Sequence, residues 1–339
     1  MSFHDIPPEL YYNYILPHII KPPMKLLDWI NVDKINWAYL SMNPNAIDIL
    51  INQMVINPDK IAWDLLSLNP NAIDILKNNL DKINWINLSG NENAIDILKN
   101  NLDKIYWEEL ASNPNAIDML EKKINELNED EIFYWDEEDE EDNYDDDDDD
   151  IDWEEKWEKI NLRYLSANMN AINILKANPD KIPINWRLLS TNINAIDMLK
   201  ENPDNINWTY LSENPNAIDM LINQMVINPD KINWEFLSGN PNAIDILKEN
   251  LDKINWRELS GNPNAIDILK NQIVINPDKI DWGQLSGNPN AIDILKKENQ
   301  NEINRINWKC LSRNTNIFEI DYIKWRQHME DFYHKYIMI

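Results

Sequence analysis

The sequence predicts an all-α fold, an αα-repeat solenoid of about eleven units of 22 to 26 residues with terminal caps and a disordered acidic insert, and three observations carry that prediction. The first is recurrence: the eleven letters SGNPNAIDILK at Ser238 to Lys248 return unchanged at Ser260 to Lys270 and at Ser286 to Lys296. The second is a period. The tryptophan of an INWxxLS motif stands at Trp37, Trp63, Trp85, Trp107, Trp186, Trp208, Trp234, Trp256, Trp282 and Trp308, and Leu162 holds the same place in INLRYLS. Apart from a step of 24 before Trp186 and a long gap before Leu162, these anchors are 22 or 26 residues apart. That length accommodates two short helices and two turns. The third is the helical spacing of apolar residues within each copy, as in Ala243, Ile244, Ile246 and Leu247.

In chain order, residues 1–30 predict an N-terminal capping region. Its apolar letters are broken by Pro7, Pro8, Pro17, Pro22 and Pro23, short of the roughly 20 residues of a membrane span, and no signal peptide is expected. Residues 31–125 hold repeats 1 to 4. In the copy around Trp234, Asn233 is the predicted N-cap of the first helix, with Ile232 and Leu237 placed as a hydrophobic staple. Glu109 and Glu258, three residues after their cap positions, are expected to complete capping boxes. Gly90, Gly239, Gly261 and Gly287 follow the serine of the motif, where a left-handed residue would end the helix. Asn240 then caps the second helix and Pro241 takes its first position. The 26-residue copies add four residues, about one turn, so Met54, Val55, Met225 and Val226 lengthen the second helix without rotating its face.

Residues 126–155 carry twenty Asp or Glu and no Lys or Arg, a composition that cannot form a packed core and predicts a mobile insert. Repeats 5 to 11 occupy 156–317, and 318–339 predicts a C-terminal capping helix. Helix pairs this short need neighbours to be stable, so near-identical letters recur because near-identical surfaces must pack. Eleven layers at roughly 8–10 Å each predict an elongated body on the order of 100 Å.

The net charge of -28 argues against a nucleic-acid partner held through phosphates. Catalytic signatures are missing from the sequence. The four histidines, His4, His18, His328 and His334, lack zinc-type spacing; the five glycines form no phosphate-binding loop; Cys310 has no histidine near it and excludes an internal disulfide. No enzyme, metal or cofactor is expected.

The tandem NPNAIDIL...DKINWxxLS pattern, from about Lys34 to Phe318, resembles the asparagine-rich repeat proteins of giant DNA viruses of the Mimivirus group. The resemblance implies a viral protein in an infected protist, located in the host cytoplasm, the viral factory or the virion, and it assigns no chemistry to particular residues. The function expected is a non-catalytic protein–protein interaction scaffold. The alternatives are a structural component of the virion or factory, and a ubiquitin-ligase adaptor, since DIPPELYYNYIL loosely looks like the first helix of an F-box.

Candidate binding residues come from what varies inside the constant frame. The tryptophan ladder offers an aromatic groove, but rings that each bury about 150–250 Å² are better read as core between repeats. The asparagines at Asn43, Asn240 and equivalent positions read as caps whose amides can also bond across the stack. The row of Asp245-type residues pairs with a lysine three positions on. By contrast, the two letters after each tryptophan differ from copy to copy, as a target-reading face would. Tyr39, Tyr164, Arg187, Tyr210, Phe236 and Arg257 are therefore the expected partner contacts. The acidic run at 126–155 reads as a solvated linker or as the docking site of a basic protein; DDDDDD lacks the spaced ligands of a calcium loop.

Overall fold

A computed structural model of the chain describes residues 21–127, 132–133, 160–301 and 304–336. Within them the sequence repeats are structural repeats of helix pairs, and the all-α repeat solenoid is what the chain forms. The first helix of each unit begins at the anchor, as in Trp85–Gly90, Trp186–Thr191 and Trp234–Gly239. Repeat 5, with Leu162 in place of tryptophan, makes a 3₁₀ turn over Arg163–Ser166 instead. The second helices run from the isoleucine of NAI, for example Ile73–Lys77 and Ile244–Glu249. Three of the four 26-residue copies carry a ten-residue second helix, Ile47–Ile56, Ile218–Ile227 and Ile266–Ile275, so there the four added residues lengthen it by about a turn as expected, whereas the copy from Trp282 stops its second helix at Ile292–Glu298 and spends the extra length between helices. Between most repeats the PDK or LDK letters form a short 3₁₀ turn, such as Pro229–Lys231.

Local chemistry sets these boundaries. Asn233 accepts the Phe236 N–H at 3.0 Å and caps the first helix. Leu237 and Ile232 are both buried. The helix ends where Asn240 turns extended, with its N–H bonded to Leu237 O at 3.1 Å. The glycines expected as left-handed terminators are the last helical residues, and none of the five has a positive φ. Met42, Thr191 or Arg313 can therefore stand at the same place. The capping boxes are likewise corrected: the cap N–H groups of Tyr106 and Asn255 bond to Ser89 Oγ and Ser238 Oγ of the preceding repeat, leaving nothing for Glu109 or Glu258 to accept.

The core is a column of fully buried Leu and Ala, one Leu from each helix and the Ala of NAI, as in Leu237, Ala243 and Leu247. Polar bonds fix the register beside it. Asn240 Nδ2 donates to Ser212 O and Asn214 O of the repeat before, each at 3.0 Å, while its Oδ1 accepts the Asn242 N–H. Asn242 Nδ2 donates to Pro215 O at 2.9 Å, and Ser212 Oγ accepts the Asn233 N–H at 3.1 Å. The same set recurs at interface after interface. The stack is continuous through the acidic segment, because Asn168 reaches Ala111 O and Asn113 O at 2.8 and 2.9 Å. Only there is the serine replaced, by Ala111.

The stack also closes on itself. Asn43 Nδ2 donates to Ser312 O and Asn314 O at 3.1 and 3.0 Å, Asn45 Nδ2 to Thr315 O at 3.0 Å, and the Asn36 N–H to Ser312 Oγ at 2.9 Å. Repeat 11 thus meets repeat 1 through the bonds used between any other pair. The elongated body expected from the period is replaced by a ring of eleven units, each turning about 33°. Neighbouring first helices pack side by side, whereas neighbouring second helices barely touch, so the first helices line the inside. With axes roughly 8–10 Å apart and helices about 10 Å thick, the opening is on the order of 20 Å across.

The terminal segments clasp this closure. Strand β1 (Met24–Leu26) pairs antiparallel with β4 (Phe318–Ile320), and Lys25 Nζ lies 3.0 Å from Glu319 Oε1. The C-terminal segment expected as helix from 318 therefore starts as a strand and becomes helical only over Tyr322–Tyr336. Two shorter strands, β2 (Ile132–Phe133) and β3 (Ile160–Asn161), pair in parallel at the ends of the acid-rich segment.

Closure makes a stability prediction. Asn240→Ala strips the bonds from two carbonyls beside a buried site and should lower the unfolding free energy by about 2–3 kcal/mol. Asn43→Ala should cost the same within about 1 kcal/mol, because the closing interface is an ordinary one. Urea unfolding of the two variants measures both.

Candidate functional site

The inner surface is built from the first two turns of each first helix. The residue three after the anchor is the buried leucine, and the next is the serine of the polar ladder, so the core claims both. Positions one, two and five after the anchor are left facing the opening. Because adjacent first helices are in contact, the side chains there touch across repeats and form a continuous belt.

All six residues expected from sequence variation lie on this belt, and the structure brings three of them together. The Arg187 guanidinium sits 4.5 Å from the ring centre of Tyr210, and Tyr210 packs on Phe236 with centroids 5.4 Å apart at 33°. Repeats 6, 7 and 8 thereby share one cation–aromatic–aromatic stack. Tyr164 stands apart from it, covered by Arg163 at 4.7 Å with a 2.9 Å bond from the guanidinium to its hydroxyl. Arg163 Nε also lies 3.6 Å from Glu108 Oε1 of repeat 4. Arg257 is exposed and near Glu258 and Asp281, at 3.8 and 4.0 Å. Tyr39 lies under Lys309, 4.8 Å from the ammonium, a neighbour that exists only because the ring closes.

Burial perturbs two carboxyls on the belt. Glu213 follows the serine of repeat 7, where four other copies have glycine, and desolvation raises its pKa above the ordinary value. Glu108 is raised chiefly by burial and further by Glu109, with Arg163 opposing. Neither glutamate was legible as a site residue, since each effect depends on what the neighbouring repeats place beside it.

The tryptophans face the core instead of the opening, partly buried against the leucine column. Seven of these tryptophans have a ring face covered by the lysine of the next repeat's DKI letters, among them Lys82 over Trp63 at 4.5 Å, Lys253 over Trp234 at 4.6 Å, and Lys34 over Trp308 at 5.2 Å across the closure, while Lys123 covers Trp107 and Arg305 covers Trp282. That accounts for the recurrent lysine of DKI, which sequence reasoning left unassigned although it recurs with the tryptophan. On the outside, Lys248 pairs with Asp245 at 3.1 Å and Lys200 with Asp197 at 3.9 Å, as the spacing predicted.

Among the described residues no group of three or more His, Cys, Asp or Glu is placed to hold a metal ion, and no helix is long and apolar enough to cross a membrane. Cys310 is partly exposed on the belt, with its N–H bonded to Asn307 Oδ1. The F-box-like stretch DIPPELYYNYIL and most of the acidic run at 126–155 lie outside the described residues. Comparison of the chain with protein-family models, with curated proteins and with solved structures gives no match.

The raised Glu213 carboxyl carries a pH signature. Its protonated form is favoured in the folded state, so its contribution to stability is present at low pH and is lost as the pH rises from the unfolded value through the folded one. Glu213→Gln should therefore raise the melting temperature at pH 7 and leave it unchanged near pH 4, where both proteins carry a neutral side chain. Thermal melts of the two proteins at both pH values check this.

Proposed function

We propose that the ring is a non-catalytic protein-binding scaffold that receives a polypeptide segment of a partner against its inner belt. The observation that supports this most is the division of labour within each repeat. Positions that make the core and the polar ladder are nearly constant, while the pair of belt residues after each anchor, with Tyr, Phe, Arg and Glu among them, differs in every copy around the circle. The Arg187–Tyr210–Phe236 stack is the anchor of the surface, because aromatic and arginine side chains in partly desolvated settings dominate binding energy. An opening on the order of 20 Å admits one α-helix, about 10–12 Å across with its side chains, or an extended chain.

The acid-rich segment adds an electrostatic contact for a basic partner, host or viral, and raises its encounter rate. From the resemblance of the repeats to those of giant DNA viruses, the location proposed for this activity is the cytoplasm or viral factory of an infected cell, or the virion.

Capture from host lysate with mass spectrometry tests the reading. A partner retained by the native ring should be lost at least tenfold with Tyr210→Ala/Phe236→Ala, at an unchanged melting temperature. Equal capture by both proteins would contradict the belt as the binding surface.

A further inference from the structure

Three of the ten second helices carry a four-residue addition as an extra turn, and that turn does two different things. Its first part serves the fold: Met54 packs on the core, and buried Gln53 donates its side-chain amide to Asn57 O at 3.3 Å, closing the helix end. Its last two residues point away. Val55 and Ile56 are 84% and 77% exposed, Val226 and Ile227 84% and 77%, and Val274 and Ile275 86% and 77%. The near-identical exposure shows that the three knobs are presented in the same way, and rotation from repeat to repeat puts all three at the same edge of the ring, beside the PDK turns.

We propose that this edge is a self-association surface on which a second copy of the chain docks. Area is the first argument. At about 60–120 Å² per apolar side chain, the six residues offer on the order of 500 Å² of apolar surface. A standard interface of about 800 Å² per partner, roughly 60% apolar, needs about that much.

Charge is the second. No charged residue lies between Asp48 and Asp59 or between Asp219 and Asp230, so two of the knobs are uncharged in a chain of net charge -28. The knobs belong to repeats 7, 9 and 1, an arc of five steps and less than half the circle. The chain leaves the ring for its acid-rich segment between repeats 4 and 5, on the opposite side. The strongest source of repulsion between two copies is thus attached farthest from the knobs. A patch whose Val–Ile pairs are the same on both copies also meets the self-complementarity of a two-fold contact.

Sedimentation of the full chain at about 100 µM tests this. Association is expected, and it should tighten when NaCl is raised from about 0.05 to 0.5 M, because screening relieves like-charge repulsion without weakening apolar contact. Val226→Asp/Val274→Asp should raise the dissociation constant at least tenfold with an unchanged melting temperature, since both positions face solvent. Should that protein fail to fold, Val226→Ser/Val274→Ser serves instead, with a weakening of about threefold or more. Tyr210→Ala/Phe236→Ala should associate like the native chain. A monomer in 0.5 M salt, equal association of the knob variants, or loss of association in the belt variant would each overturn the assignment.

Discussion

Every level of this molecule depends on one interaction, the side-chain amide of a buried asparagine donating to two backbone carbonyls of the preceding repeat. A buried carbonyl left without a donor is costly, and the end of each short first helix exposes carbonyls that its own backbone cannot satisfy. Asn240 answers for Ser212 and Asn214, and the same residue type answers in every unit. The geometry needs an amide of this length: glutamine would overshoot, and aspartate would set an acceptor oxygen against two acceptor carbonyls. Serine adds the reverse bond by accepting the cap N–H of the next repeat. Together they fix the relative placement of neighbouring units, and placement repeated eleven times fixes the curvature.

Closure follows from that curvature. Repeat 11 offers repeat 1 the same carbonyls and hydroxyl that any unit offers its successor, so no special end chemistry is required. The β1–β4 pair and the Lys25–Glu319 contact then tie the chain ends over the junction. A ring has no exposed terminal repeat, which removes the need for caps with a polar outer face. It also gathers belt positions from distant parts of the sequence, as with Tyr39 and Lys309. Constancy in the ladder leaves the belt free to differ in every unit, and that freedom is the physical basis for the proposed recognition role.

The sequence made the repeat unit legible and the ring illegible. Tryptophan spacing, the Asn233 cap, the NAI stripe and the extra turn of three of the four 26-residue copies are local signals, and they appear in the structure as read. The capping boxes at Glu109 and Glu258 and the left-handed glycines failed for one reason. Bonds that look unsatisfied within a repeat are satisfied by the repeat before it, so the local rule had no vacancy to fill. Curvature is set by small differences in spacing between inner and outer helices, for which no letter codes, and closure could not be foreseen. Candidate site residues were found through their variability, whereas their grouping into an Arg187–Tyr210–Phe236 stack required the placement of three neighbouring helices.

The most direct test is a distance across the closing interface. Spin labels on cysteines at Asp74→Cys and Asp293→Cys, with Cys310→Ser to remove the native thiol, sit on exposed second-helix positions of repeats 2 and 10. In the closed ring these repeats are three steps apart through the closure, and pulsed electron resonance should read on the order of 40 Å. A separation on the order of 80 Å, the length of eight layers in an open stack, would contradict the ring.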